Sequence, residues 1–480
     1  MNRRMVFYLT GKMILVEALL MLLPLSVSII YQNKSFLSFL ITIAIACVIG
    51  VACLLVSRPK NRVIYAKEGF VIVAIVWFAM AAIGALPFYI SREIPNYIDA
   101  FFETVSGLTT TGASVVTDVE ALSKGILFWR SFTHWIGGMG VLVFVMAIIP
   151  ASDRSIHLLR AEVPGPIVGK LVPKIKDTAK ILYLIYIAMT LLEIILLFAG
   201  GMPLFDSCVH AFGTAGTGGF GIKVDSIASY SHYLQWVITI FMLLFSLNFN
   251  LYYLALIKHF KSVFKSRELW CFLFVVAVSM TAITINIYPM YQNFEEAFRL
   301  SAFQTSSIVS TTGYATADFN LWPGLSKAIL FILMFFGGCA GSTAGGLKFA
   351  RVMIIFKMIR REFLHMLHPR SVAVVKFEGK KVENQTLISA SNYFSLYVVI
   401  LVSVFLALSF DAFDFETNVS AAVACFNNIG PGFGAVGPAA SYAEYSFVSK
   451  FVLSIAMLLG RLEIYPILIA LSPSTWAKKL

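Results

Sequence analysis

The sequence predicts an all-α polytopic membrane protein: two N-terminal helices, then four copies of a helix, short re-entrant segment, helix unit around a pseudo-fourfold pore. Three observations predict it. The 480 residues are 59% hydrophobic and only 13% charged, with a mean hydropathy of +0.83, whereas soluble domains carry roughly 25% charged residues. Apolar runs near the ~20 residues that cross a bilayer recur along the chain, at 13–31, 36–56, 69–90, 181–201 and 387–410. Between such runs lie four short segments that align without gaps: FETVSGLTTTG (102–112), VHAFGTAGTGG (209–219), FQTSSIVSTTG (303–313) and SAAVACFNNIG (420–430).

The leading element is the run at 13–31, too long for a signal-peptide core and without an evident cleavage site, so it reads as an uncleaved first helix. The run at 36–56 is the second. From there the chain divides into residues 1–66, holding those two helices, and units at 67–152, 153–262, 263–383 and 384–480. Two helices plus two per unit give ten spans, an even number that places both termini on one side. All four units then share one orientation, unlike the inverted repeats of many secondary transporters.

The net charge of +12 invites a nucleic-acid reading, but the cations fall in alternate loops. Most of the 37 Lys and Arg belong to one set: Arg3, Arg4, Lys12; Arg58, Lys60, Arg62, Lys67; Arg154 to Lys180; Lys258 to Arg267; Lys348 to Lys381; and Lys478, Lys479. The opposite set holds only Lys34, Arg92, Lys124, Arg130, Lys223, Arg299, Lys327 and Lys450. The positive-inside rule puts the first set, and both termini, in the cytoplasm. The stretch from Lys348 to Lys381 is a docking surface or an inner-leaflet contact, and no nucleic acid is needed to explain the charge.

The four short segments are too brief to span and too polar to face lipid. Non-helical backbone at membrane depth is tolerated only where protein or a water-filled cavity surrounds it, so four re-entrant copies want a common axis. Acidic starts near Asp99, Asp206, Glu295 and Glu416 can cap a short helix. Each segment ends in Gly after small polar residues: Thr110, Thr111, Gly112; Thr217, Gly218, Gly219; Thr311, Thr312, Gly313; and Asn428, Ile429, Gly430. Gly permits the unusual φ that lets successive carbonyls point one way, and rings of carbonyls replace the hydration shell of a monovalent cation. One copy alone reads as an ordinary turn; four in the same place do not. The formal GxGxxG at 216–221 lacks the strand and βαβ unit a dinucleotide site needs, and 337–348 lacks the Lys placement of a phosphate loop.

That second stretch, GGCAGSTAGGLK, interrupts the last helix of the third unit. Gly costs about 1 kcal/mol relative to Ala at each helical position, so Gly337, Gly338, Gly341, Gly345 and Gly346, with Ser342 and Thr343 between them, favour a loop that obstructs or opens the pore below the filter. Close helix packing is the alternative. Arg461 lies within the apolar run 447–471 of the fourth unit. A charge there costs about 2.5–3.5 kcal/mol on insertion scales, so it faces a cavity or a partner such as Glu463, and on the axis it forms a barrier to cations. Glu17, His134, Glu193, Asn248 and Asn250 are assigned to interhelical hydrogen bonding. The six cysteines sit singly and read as buried free thiols. No nucleophile, base and orienter fall together, which argues against an enzyme.

Together LTTTGAS, STTGY, NNIGPGFG, WIGGMGVLVF, AEVPGP, GGCAGSTAGG and LLGRLEIYP resemble the Trk/Ktr/HKT superfamily of potassium transporters over essentially the whole chain. The resemblance implies four potassium-channel-like M1-P-M2 units in a bacterial inner-membrane pore subunit that works as a homodimer. It implies control by a cytoplasmic nucleotide-binding subunit of the TrkA or RCK type, which holds the nucleotide; this chain needs no covalent cofactor, and potassium is its cargo. It carries the filter glycines onto Gly112, Gly219, Gly313 and Gly430, the gating loop onto 337–348 and the pore arginine onto Arg461. Ser at the first filter position accompanies sodium permeation in plant relatives, so Gly112 favours potassium. No unit carries a full TVGYG, which implies a partial filter of modest selectivity. The rivals are an inverted-repeat transporter for an organic solute and a membrane-embedded enzyme or assembly subunit.

Overall fold

The computed structural model describes residues 1–59, 65–140, 175–370 and 374–477. The boundary expected between 152 and 153, the AEVPGP motif at 161–166, and Lys60, Arg62, Arg154, Arg160, Lys170, Lys174, Lys478 and Lys479 lie outside the described residues. The first apolar run forms two helices broken only at Met21, Arg3–Leu20 and Leu22–Ile30, and the second forms Phe36–Val56. The pair packs closely because a Cβ added at Gly11 would lie 2.9 Å from the Gly50 carbonyl oxygen, the small-residue contact that membrane helices favour. Arg3 donates to the Trp476 carbonyl at 2.8 Å and Lys67 to that of Ser474 at 3.3 Å, so the two ends of the chain share one face.

Four long helices open the four quarters: Ala66–Gly84, extended by Leu86–Ile90, then Ile175–Ala199, Arg267–Tyr291 and Asn384–Leu408. Each is followed by a short helix: Tyr97–Leu108, Leu204–Gly216, Phe294–Val309 and Phe415–Phe426. The expected acidic caps are displaced by a few residues. Asn96 and Asn293 cap the first and third short helices, accepting from Ile98 and Glu295 N–H at 2.8 and 3.1 Å, while Asp99, Asp206, Glu295 and Glu416 occupy first turns, where the helix dipole favours an anion.

The closing helices of the second and fourth quarters differ from the continuous spans expected. His232–Ser246 turns by 92° into Phe249–Leu256, and Phe447–Arg461 turns by 119° into Tyr465–Leu471. The first break has a local cause: Asn248 leaves the helix and caps the next, accepting from Asn250 N–H at 3.0 Å. At the second, Glu463 and Ile464 take left-handed φ values of 56° and 67° just before Pro466, which cannot continue the preceding helix. The third quarter splits into Gly324–Leu333 and Phe349–Leu367 around the glycine-rich stretch, as expected, and the first supplies Lys124–Gly138. Among the described residues six helices are long and apolar enough to cross a membrane, or eight if each bent pair is one span.

The quarters engage head to tail. Lys124 of the first lies over the Phe205 ring of the second, 4.6 Å from its centroid; Gln235 of the second accepts from Arg299 of the third; Lys327 of the third pairs with Glu416 of the fourth at 3.3 Å; and Lys450 of the fourth pairs with Asp99 of the first at 2.8 Å. The circuit closes. It also corrects the charge reading, because Arg130, Arg299 and Lys450 are buried helix residues rather than loop cations. Each is paired, as a charge taken out of water must be. Cys339 and Cys425 are buried free thiols, but Cys47 and Cys271 are exposed on the outer surface.

Candidate functional site

Each short helix stops at the same relative point, and the backbone beyond it repeats. Thr110, Thr217, Thr311 and Asn428 have φ of 57°, 58°, 57° and 57°, and two residues on Gly112, Gly219, Gly313 and Gly430 have φ of 82°, 73°, 84° and 98°. A β-branched residue with positive φ is a conformational outlier that costs about 1–3 kcal/mol, and here it occurs three times in register. The left-handed residue and the glycine are separated in each segment by one residue without positive φ, so the same reorientation of consecutive peptide planes recurs four times.

The four segments also touch in a closed order. A side chain added at Gly112 would strike the carbonyl oxygen of Gly218, one at Gly219 that of Thr312, one at Gly313 that of Ile429, and one at Gly430 would lie 2.7 Å from that of Thr111. Each glycine thus leaves room for the carbonyl preceding the equivalent glycine of the next quarter. All twelve of the sequence-derived residues are brought into this ring; nine are buried, and Gly112, Gly219 and Gly313 are partly exposed to the cavity they line. A helix C-terminus carries a charge equivalent to about −0.5, so four such ends directed at the ring contribute roughly −2. The four glycines line a cavity of about 220 Å³ together with Arg130 and Lys223. Among the described residues no group of three or more His, Cys, Asp or Glu could hold a metal ion.

On the other side of the ring, residues 334–348 form a largely buried, non-helical loop, with Phe336 bridged to Leu347. Gly345 N–H donates to Thr311 Oγ1 at 2.7 Å, which seats the loop directly on a ring residue. Thr343 Oγ1 reaches the Phe245 carbonyl at 3.1 Å, and Gly341 accepts from Phe249 N–H at 3.2 Å, so the loop also grips the break in the second quarter. Arg461 is the last residue of its helix, not the middle of a continuous one. Its guanidinium donates to the carbonyls of Thr343 at 2.7 Å, Gly137 at 2.5 Å and Gly138 at 2.8 Å. One side chain therefore joins the loop of the third quarter to the helix end of the first. Glu463, an expected partner for Arg461, pairs with Arg351 at 2.9 Å.

Residues 36–478 match the sequence model of TrkH, described as a cation transport protein. The chain belongs to the TrkH family. Among its relatives the Trk system potassium uptake protein TrkG of Escherichia coli (strain K12) is 35% identical, with 98% of each chain covered. The Trk system potassium uptake protein TrkH of Vibrio parahaemolyticus is 34% identical over 99% of this chain and 100% of that one. The crystal structure of the potassium transporter TrkH from Vibrio parahaemolyticus superimposes with a TM-score of 0.89 at 32% identity, covering 99% of this chain and 100% of the other. The TrkH family is a family of transporters, not of enzymes.

Other residues around the ring of this TrkH-family chain carried little or no weight in the sequence. His134 accepts from Phe220 N–H at 3.3 Å through Nε2 and faces the Gly107 carbonyl at 2.8 Å through Nδ1, so an Nδ1–H tautomer satisfies both and braces two neighbouring segments. Tyr314 donates to the His210 carbonyl at 3.1 Å. Glu103 and Arg130 pair at 2.5 Å; Glu103 also accepts from Val115 N–H at 3.0 Å and Arg130 donates to the Gly221 carbonyl at 2.8 Å. Lys348 and Arg351, assigned above to a docking surface or an inner-leaflet contact, are buried beside the loop, where Lys348 Nζ donates to the Ala344 carbonyl. Their sequence signal was present but misread: both adjoin the glycine-rich stretch.

Proposed function

We propose that this chain takes up potassium across the bacterial inner membrane through the ring of carbonyls at Thr110–Gly112, Thr217–Gly219, Thr311–Gly313 and Asn428–Gly430. The single observation that carries the reading is the closed sequence of contacts in which each ring glycine makes space for its neighbour's carbonyl. Carbonyls held in this way replace the hydration shell of a dehydrated monovalent cation, and the names of the relatives specify potassium. The four quarters act as four M1-P-M2 repeats, and the loop at 337–348 with Arg461 acts as the gate. Support for the gate comes from the loop's seat on Thr311 and its tie to Arg461.

The distribution of basic residues and the shared face of the chain ends support cytoplasmic termini. The naming of relatives as parts of a Trk system supports a partner that controls the gate, and the family resemblance supports a TrkA/RCK-type subunit that binds the nucleotide and a homodimeric assembly. The test is flux of potassium, sodium and protons in proteoliposomes, with and without a candidate cytosolic subunit. Potassium-dependent flux that exceeds sodium flux and is regulated by the subunit is expected. Equal flux of both ions in the wild type and in Gly112→Ser would remove the filter.

A further inference from the structure

The small hairpin between the third and fourth quarters is connected to the loop under the ring by a continuous set of contacts. Strands β1 (Lys376–Phe377) and β2 (Lys380–Lys381) pair with Phe377 opposite Lys380. The two residues between them, Glu378 and Gly379, have φ of 48° and 77°, the two positive values that a type I′ turn requires. Glu378 at that tip is turned back against the helix Arg267–Tyr291: its carboxylate accepts from Glu268 N–H at 2.9 Å and from Ser266 Oγ at 3.3 Å. It thereby satisfies one of the N–H groups that a helix start leaves free.

Glu268, the second residue of that helix, is buried, and its carboxylate accepts from Ala340 N–H at 2.7 Å. Ala340 lies inside the glycine-rich loop. The same alanine shares an apolar cluster with Val375, Phe377 and Val382 of the hairpin. The hairpin is therefore held to the loop twice, through a relay of two carboxylates and through apolar contact. The hairpin's Lys376, Lys380 and Lys381 are exposed on its outer side.

We propose that Glu268 is a positioning residue of the gate and that the hairpin tipped by Glu378 is the handle that sets it. Displacing the hairpin moves Glu268, frees the Ala340 N–H and loosens the loop. The proposal rests on the loop being the gate, and it extends that reading to how the loop is held.

The buried Cys339, adjoining Ala340, reports loop position without reference to flux. With the other five cysteines replaced, the rate of Cys339 modification by N-ethylmaleimide is measured in full-length protein in proteoliposomes, alongside tracer rubidium flux. In Glu268→Ala and Glu378→Ala both rates rise by about tenfold, the weight of one hydrogen bond to a charged acceptor. Glu268→Gln, which keeps an acceptor oxygen, restores most of the protection. Wild-type labelling in both alanine variants overturns the proposal, as does equal labelling of Glu268→Ala and Glu268→Gln. A deletion within 341–346 is the separate control: if its flux stays at the wild-type level the gate reading falls, while Cys339 labelling still decides whether Glu268 anchors the loop.

Discussion

Replacing Arg461 by Ala removes three hydrogen bonds at 2.5, 2.7 and 2.8 Å from one buried guanidinium. Hydrogen bonds to a charged group contribute about 1.5–3 kcal/mol each, so roughly 4.5–9 kcal/mol of gross interaction disappears. Much of this is offset, because the wild type bears a desolvation cost of several kcal/mol for the buried cation. A net loss of about 2–3 kcal/mol to the closed arrangement corresponds to a rise of about 30- to 150-fold in the open fraction, at 1.4 kcal/mol per tenfold. Tracer rubidium uptake into potassium-loaded proteoliposomes reads that fraction directly, and uptake without a cytosolic subunit is expected to rise most. Arg461→Lys separates the two ways in which the arginine would close the path under the proposed gate. Lysine keeps the charge but not the planar fork that reaches three carbonyls on two elements, so low flux in Lys and high flux in Ala assigns closure to charge, and high flux in both assigns it to the hydrogen bonds. Wild-type flux in a well-folded Arg461→Ala refutes the gate.

Gly112→Ser and Gly313→Ser put a Cβ against the Gly218 and Ile429 carbonyls at φ values that L side chains rarely adopt; potassium over sodium discrimination in competitive uptake is expected to fall by about tenfold, the effect of roughly 1.4 kcal/mol. Asn428→Ala removes the side-chain bonds to Thr111 Oγ1 at 2.9 Å and to the Met457 carbonyl at 3.0 Å, and at about 1 kcal/mol each it should lower discrimination and the melting temperature in detergent together. Glu103→Gln leaves Arg130 buried without its anion and is expected to cost about 3–5 kcal/mol, measured by thermal unfolding, and more than the exposed-edge change Lys327→Gln, whose pair with Glu416 is partly open to solvent and contributes about 0–1 kcal/mol. A Glu103→Gln protein as stable as the wild type would show that the pair does not hold the ring.

What could be read from the sequence and what could not divide along the range of the interactions. The ring segments were legible because their chemistry is local: the residues that take left-handed φ and the glycines that admit a neighbour's carbonyl lie within three positions of each other, four times over, in one register. The glycine-rich interruption was legible for the same reason. The inward placement of Arg461 followed from the cost of a charge in an apolar run, but its acceptors did not, since Gly137 is 324 residues away in the chain and a backbone carbonyl carries no residue identity to search for. The bends at 247 and 462 escaped notice because hydropathy passes through them unchanged; only Asn248 as a cap and the Glu463, Ile464, Pro466 sequence mark them. Those bends are what the proposed gate requires. A continuous fourth-quarter helix would keep its backbone hydrogen bonds internal and carry Arg461 in mid-span, whereas a helix that ends at Arg461 places the guanidinium beside another helix end, where it adds a charged donor to the terminal carbonyls of Gly137 and Gly138. The apolar run therefore looks uniform in sequence while the proposed gate depends on its interruption, and Glu268 is similar, an acid at a helix start that looks like ordinary dipole compensation until Ala340 is found bonded to it.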